Sequence, residues 1–107
     1  MTAARFAEQL ATLPPVTHIA RLELFDAEGN LVGTIENRPG SSGSVAVYHA
    51  VSMPQGRLDP AAAASALGLY AEHVQDARAH PGKHPNIDRL LYLIATGAEL
   101  QVREVLA

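Results

Sequence analysis

Cysteine is absent from the 107 residues of this chain, which excludes disulfides, thiolate nucleophiles and every zinc site built on sulfur. Tryptophan is missing too, and aromatic residues make up only 5% of the chain, too few for a platform that stacks single-stranded nucleic acid. Cations are scarce: eight Lys plus Arg stand against eleven Asp plus Glu, a net charge of −3, and they are scattered along the chain. Duplex binding draws on clustered cations, so nucleic acid is not an expected partner. No stretch approaches the roughly 20 apolar residues of a membrane span. The opening Met1-Thr2-Ala3-Ala4-Arg5-Phe6 runs into Glu8 and Gln9 without the long apolar run of a signal peptide. No membrane partner is expected, and the cytoplasm is the default location.

What is present is enough for one hydrophobic core. A chain of this length buries roughly 60–70% of its unfolded surface, so residues 1–107 are expected to form a single domain that needs no metal or disulfide to fold. Phe6, Leu10 and Leu13 fall at helical spacing, with Thr2 able to cap and Pro14-Pro15 enforcing a stop. Ala20-Arg21-Leu22-Glu23-Leu24 and Leu31-Val32-Gly33-Thr34-Ile35 alternate as half-buried strands do. Between them, Asp26-Ala27-Glu28-Gly29 fits a type I turn followed by a positive-φ residue, which predicts a hairpin.

The stretch from Arg38 to Ser44 has the composition of a flexible loop, and Val45-Ala46-Val47-Tyr48-His49-Ala50-Val51 reads as a strand in the middle of the sheet. Asp59-Pro60 starts a helix, whose stripe Leu67, Tyr70, Val74 and Ala77 runs on to Pro81-Gly82. Asn86 is positioned to cap a third helix with the stripe Ile87, Leu90, Leu91, Ile94, and Gly97 stands where a left-handed cap belongs. Leu100-Gln101-Val102-Arg103 alternates as a last strand. The expected fold is α+β, in the order α-β-β-β-α-α-β, with a largely antiparallel four-stranded sheet covered by three helices in two layers. The place of the last strand in that sheet is open.

Five histidines are the first candidates for chemistry. His73, Asp76 and His80 lie at i, i+3 and i+7 of one helix, with His84 following, and such side chains suit a divalent metal. A solvated helix face explains them without one, so no metal is assigned. His49 and Tyr48 point to opposite faces of the expected strand, so one of them must approach the core; a buried, hydrogen-bonded histidine is the plain reading of His49, and if Tyr48 is the inward residue His49 is an exposed strand residue. The Gly40–Ser44 segment with Arg38 offers backbone N–H groups to an anion, but it has no Walker-type lysine and reads first as a mobile connection. Gly82-Lys83-His84-Pro85-Asn86-Ile87-Asp88 gathers a cation, an imidazole, an amide and a carboxylate around a helix start, an end that carries free N–H groups and a positive dipole. Its architectural role, a turn held by Pro81 and Pro85, accounts for most of these residues. No serine sits in a nucleophile elbow and no carboxylate pair is tied by spacing, so no enzyme activity and no cofactor are assigned.

The Tyr48-His49-Ala50 segment and the Lys83-His84-Pro85-Asn86 turn, within this helix and strand order, resemble a small bacterial family, domain of unknown function 2322. The resemblance spans nearly the whole chain. It implies a stand-alone bacterial domain with no activity, cofactor or catalytic residue to carry over, and it directs attention to His49, Lys83, His84, Asn86 and Asp88. His73 and His80 are not part of the pattern.

Three functions follow in order of expectation. The first is a non-enzymatic module that self-associates or docks onto another protein, because folding signals are complete, catalytic ones are missing, and sheet edges need cover. The second is a small-ligand or anion site made by Lys83, His84, Asn86 and Asp88 with Tyr48 or His49 nearby. The third is divalent metal binding through His73, Asp76 and His80.

Overall fold

The computed structural model describes residues 5–107, so the expected cap at Thr2 lies outside the described residues. Helix α1 (Phe6–Leu10) is followed by the hairpin of β1 (Ile19–Phe25) and β2 (Leu31–Glu36). Asp26 closes the hairpin as expected: its backbone N–H donates to the Asn30 carbonyl and its carboxylate accepts from the N–H groups of Glu28 and Asn30, while Gly29 takes φ +85°. Then come α2 (Ser42–Ser52), the two-residue β3 (Arg57–Leu58), α3 (Pro60–Tyr70), α4 (His73–Ala79), α5 (Pro85–Thr96) and β4 (Leu100–Leu106).

The sheet is four-stranded and antiparallel, in the order β2-β1-β4-β3, so the last strand inserts between β1 and β3. Period-two alternation gives each strand a dry face and a wet face. Leu22, Leu24, Ile35, Leu100 and Val102 are buried with the helices in one hydrophobic cluster. On the opposite face Arg103 of β4 crosses to Glu23 of β1, Arg21 approaches the same carboxylate, and the Arg103 guanidinium lies 5.6 Å from the centre of the Phe25 ring. The Arg103 hydrogen bond holds the Glu23 carboxyl below the usual carboxylate range.

The α+β architecture with its antiparallel four-stranded sheet stands, but the third strand is elsewhere. Segment 45–51, expected as a central strand, belongs to α2, and β3 takes its place in the sheet. The reason lies in burial on more than one side: Val45, Tyr48 and Ser52 are spaced i, i+3 and i+7, Val47 adds a neighbouring position, and all four are buried. A helix dry on two sides shows no clean helical period, and its valines imitate a strand. The Ser42–Ser44 end of the expected loop is the first turn of this helix.

The single helix expected from Asp59 to Pro81 is two helices. Asp59 caps α3 by accepting from the Ala62 N–H at 2.8 Å, with Pro60 at the first helical position. The chain then breaks at Ala71, which takes φ +53° and ψ −120°, and restarts as α4. Two further details differ. The N-cap position of α5 is held by His84 rather than Asn86, without a side-chain capping hydrogen bond, and the buried stripe is Ile87, Leu90 and Leu93, leaving Ile94 exposed. Gly97 is left-handed at φ +74°, as expected.

Candidate functional site

The Pro81–Pro85 turn and the start of α2 face each other across an open cavity of about 370 Å³, and most of the residues with chemical potential are on its wall. Lys83, His84 and Asn86 come from the turn and the first residues of α5, His73 from α4, Tyr70 from the end of α3, and Gly43 and Ser44 from the first turn of α2. Phe6 and Leu10 of α1 supply an apolar side. Phe6 stacks on Tyr70 with ring centres 5.4 Å apart and meets the His73 ring edge-on at 4.9 Å, while its backbone N–H donates to the Glu72 carboxylate at 2.7 Å. That hydrogen bond ties α1 to the break between α3 and α4. It also holds the Glu72 carboxyl below its ordinary value.

Asp76 organises the cationic side. Its carboxylate accepts from His84 Nε2 at 2.6 Å and pairs with Lys83 Nζ at 2.9 Å, and His80 stands at 3.8 Å. These partners, the His84 hydrogen bond first and Lys83 next, pull the Asp76 carboxyl down to about 2. The His73 and His84 rings lie 5.7 Å apart. His73 is half-buried against Phe6 rather than solvated, so the expected polar helix face holds only for His80. Among the described residues, no group of three His, Asp or Glu side chains is placed to hold a metal ion, and the Asp76 carboxylate is engaged by an ammonium and an imidazole.

Two helix starts contribute residues to this cavity's wall, and each has first-turn N–H groups with no partner among the described residues. At α2 the N–H groups of Ser41 and Ser42 donate to the Arg38 carbonyl, at 3.0 and 2.9 Å, and no side chain caps the helix. Gly43 and Ser44 follow, with first-turn N–H groups that have no intrahelical carbonyl to bond. At α5 the N–H groups of Ile87 and Asp88 return to the His84 carbonyl, Pro85 has none, and that of Asn86 is left. Tyr70 donates its hydroxyl to Ser44 Oγ at 2.6 Å, and burial pushes the Tyr70 phenol well above its ordinary value, so it stays a donor at any physiological pH.

Behind the cavity a buried clamp fixes the start of α5. The Tyr48 hydroxyl donates to the Asn86 carbonyl and accepts from Arg89 Nη1 at 3.1 Å, and the same guanidinium nitrogen reaches Asn86 Oδ1 at 2.9 Å. Burial raises the Tyr48 phenol as well. Asp88 turns back to accept from the Gly82 N–H at 2.9 Å, closing the turn rather than facing the cavity.

Of the residues singled out from the sequence, Lys83, His84 and Asn86 are therefore brought together, with Tyr48 directly behind Asn86. His49 is not. Its Nδ1 is hydrogen-bonded to Glu104, which the register of β4 with Leu22 places on the inner sheet face, and its ring meets His18 edge-on at 5.9 Å. Tyr48 is the fully buried member of the pair, so His49 is not the core histidine expected: it is half-buried on a helix with Nδ1 bonded to Glu104. Ser44, Tyr70, Phe6 and Arg89 carried no signal of their own, although Tyr70 stood in the apolar stripe and Ser44 in the Gly–Ser segment.

No curated protein and no solved structure matches the chain. A family model does, over residues 6–104, and its description is "Uncharacterized protein conserved in bacteria (DUF2322)". With that match running from the cavity's first aromatic residue, Phe6, to the Glu104 partner of His49, the chain belongs to this family of uncharacterised bacterial proteins.

Proposed function

We propose that this is a ligand-binding module whose cavity takes a small organic anion, a carboxylate or phosphate monoester carrying an apolar group. The observation that carries the reading is the meeting of two uncapped helix starts, α2 and α5, at one cavity that also holds Lys83 and the imidazoles of His73 and His84. Unpaired N–H groups and aligned peptide dipoles favour negative charge at such ends. Asp76 holds Lys83 and His84 in place while engaging only one of the three ammonium donors, and Phe6, Leu10 and Ile87 offer contact to a hydrocarbon body. The module is read as a cytoplasmic bacterial protein, in keeping with its composition and its family; no described helix is long and apolar enough to cross a membrane.

Thermal shift with phenyl phosphate, benzoate, inorganic phosphate and an uncharged phenol tests the reading. At ten times Kd a ligand stabilises by about 1.4 kcal/mol, a rise of roughly 6–11 °C for a domain of this size. Phenyl phosphate is expected to give such a rise, phenol none, and Lys83→Ala to weaken the effect. Equal shifts with phenol, or none with any anion, contradict it.

A second reading, self-association, is favoured by one observation: β2 is an outer strand whose free edge is flanked by exposed Leu31 and Val32. Light scattering coupled to size exclusion tests it, and a monomer at tens of micromolar (~50 μM) removes it.

A further inference from the structure

Toward the C-terminal end of α5, with Arg89 the wall residue nearest to the anion cavity, lies a second and larger depression of about 630 Å³. Its apolar floor is made by Val32 of β2, Tyr92 and Leu93 of α5, and Leu100 of β4. Val32 and Tyr92 are 50% and 63% exposed, an arrangement that leaves a valine and an aromatic ring in water without a covering element. The rim is acidic: Asp26 and Glu28 from the hairpin turn, and Glu99 after Gly97. The C-terminal carbonyls of α5 add the negative end of its dipole.

One cation lines the depression, and it is already committed. Arg89 is held by the Tyr48 hydroxyl and Asn86 Oδ1, and its other terminal nitrogen lies against Gly33, where an added Cβ would come within 3.0 Å of it. Asp26 accepts from the turn amides and from Asn30, and Glu99 stands 3.6 Å from Arg57 Nε. No ion pair is formed by Glu28 among the described residues. Three carboxylates against one engaged guanidinium give the lining a formal charge of −2 (three minus one), with Arg57 beside Glu99 just outside it.

Val32 also belongs to the free edge of the sheet. An extended segment pairing with β2 by its backbone would run past the depression and set alternate side chains over it, the strand-addition mode of peptide recognition. We infer that this depression and the β2 edge together dock an extended basic segment of a partner protein, with an apolar side chain between Val32 and Tyr92 and an arginine or lysine at Glu28 and Glu99. Charge complementarity selects the partner's sign, the apolar floor supplies affinity, and the Tyr92 ring adds a face for a guanidinium.

The experiment is fluorescence anisotropy of the full chain with a labelled hexapeptide alternating arginine and leucine, beside a glutamate–leucine counterpart and an arginine–serine one. The basic apolar peptide is expected to bind, with affinity reduced on the order of tenfold by Tyr92→Ala and again by Glu28→Gln combined with Glu99→Gln. All three side chains are exposed, so the variants should melt as the parent does. Amide shifts on binding should fall on β2 and the last turn of α5 and spare Gly43 and Ser44, which separates this site from the anion cavity. Four results overturn the inference: no binding, equal binding of the acidic peptide, binding untouched by the substitutions, or a β2 edge occupied by a second copy of the chain.

Discussion

Ala71→Gly should stabilise this protein, which is the opposite of what the same change does inside a helix. Ala71 ends α3 at φ +53° and ψ −120°, a conformation that a Cβ disfavours and glycine adopts freely. Holding a non-glycine residue in so sparse a region costs about 1–3 kcal/mol, whereas glycine adds about 0.4–1 kcal/mol of unfolded-chain entropy. The difference is a net gain of about 0–2.6 kcal/mol, centred on ~1.3 kcal/mol. Were residues 60–80 one continuous helix, the substitution would instead cost about 0.8–1.0 kcal/mol. Urea denaturation monitored by circular dichroism separates the two, because the midpoint moves in opposite directions at an unchanged m-value. A lower midpoint for Ala71→Gly refutes the break, and with it the placement of Tyr70 and His73 on one cavity.

Other substitutions probe the clamp and the cationic side. Tyr48→Phe keeps the buried ring but removes a hydroxyl that bridges the Asn86 carbonyl and Arg89, so a loss of about 1–3 kcal/mol is expected in the same urea assay; a change below ~0.5 kcal/mol would show that the bridge does not matter. Asp76 has a folded pKa near 2 against 3.8 unperturbed, so it contributes stability that is present above about pH 3.8 and is lost as the pH falls toward 2. Asp76→Asn should therefore be less stable than the parent at neutral pH, with the gap closing between pH 3.8 and 2 in acid unfolding curves. A gap that stays constant over that window would mean that the His84 and Lys83 contacts do not hold in solution.

The elements legible in the sequence were those with one dry face or a chemical stop. The hairpin showed itself because Leu22 and Leu24 alternate with Arg21 and Glu23, and because Gly29 supplies the one positive φ that the turn requires. Asp59-Pro60 and Gly97 marked helix ends for equally local reasons. Segment 45–51 misled because α2 is buried on two sides, so that alternation and helical period become indistinguishable and β-branched residues tip the balance toward a strand. Gly68, in the last turn of α3, is the one local hint of the break at Ala71; the Phe6–Glu72 hydrogen bond and the Phe6–Tyr70 stack that surround it are tertiary.

The site divides along the same line. Lys83, His84 and Asn86 were legible because they are neighbours in the chain, held by Pro81 and Pro85. Phe6, Ser44 and the Tyr70–His73 pair come from three separate stretches, and only the packing of α1 and α2 against the α3–α4 break brings them to one wall. Misreading α2 as a strand also hid an informative feature, since a helix starting at Ser42 puts first-turn residues Gly43 and Ser44 on the same cavity wall as Lys83.

The amide resonances of Gly43, Ser44 and Asn86 report on the proposed anion site most directly. In a titration of the isotope-labelled chain with phenyl phosphate followed by proton–nitrogen correlation spectra, these three peaks should move together and saturate with one dissociation constant, since hydrogen bonds to an anion form at these N–H groups. If they stay in place while other amides shift, or if phenol moves them equally, the two helix starts do not receive a negative charge.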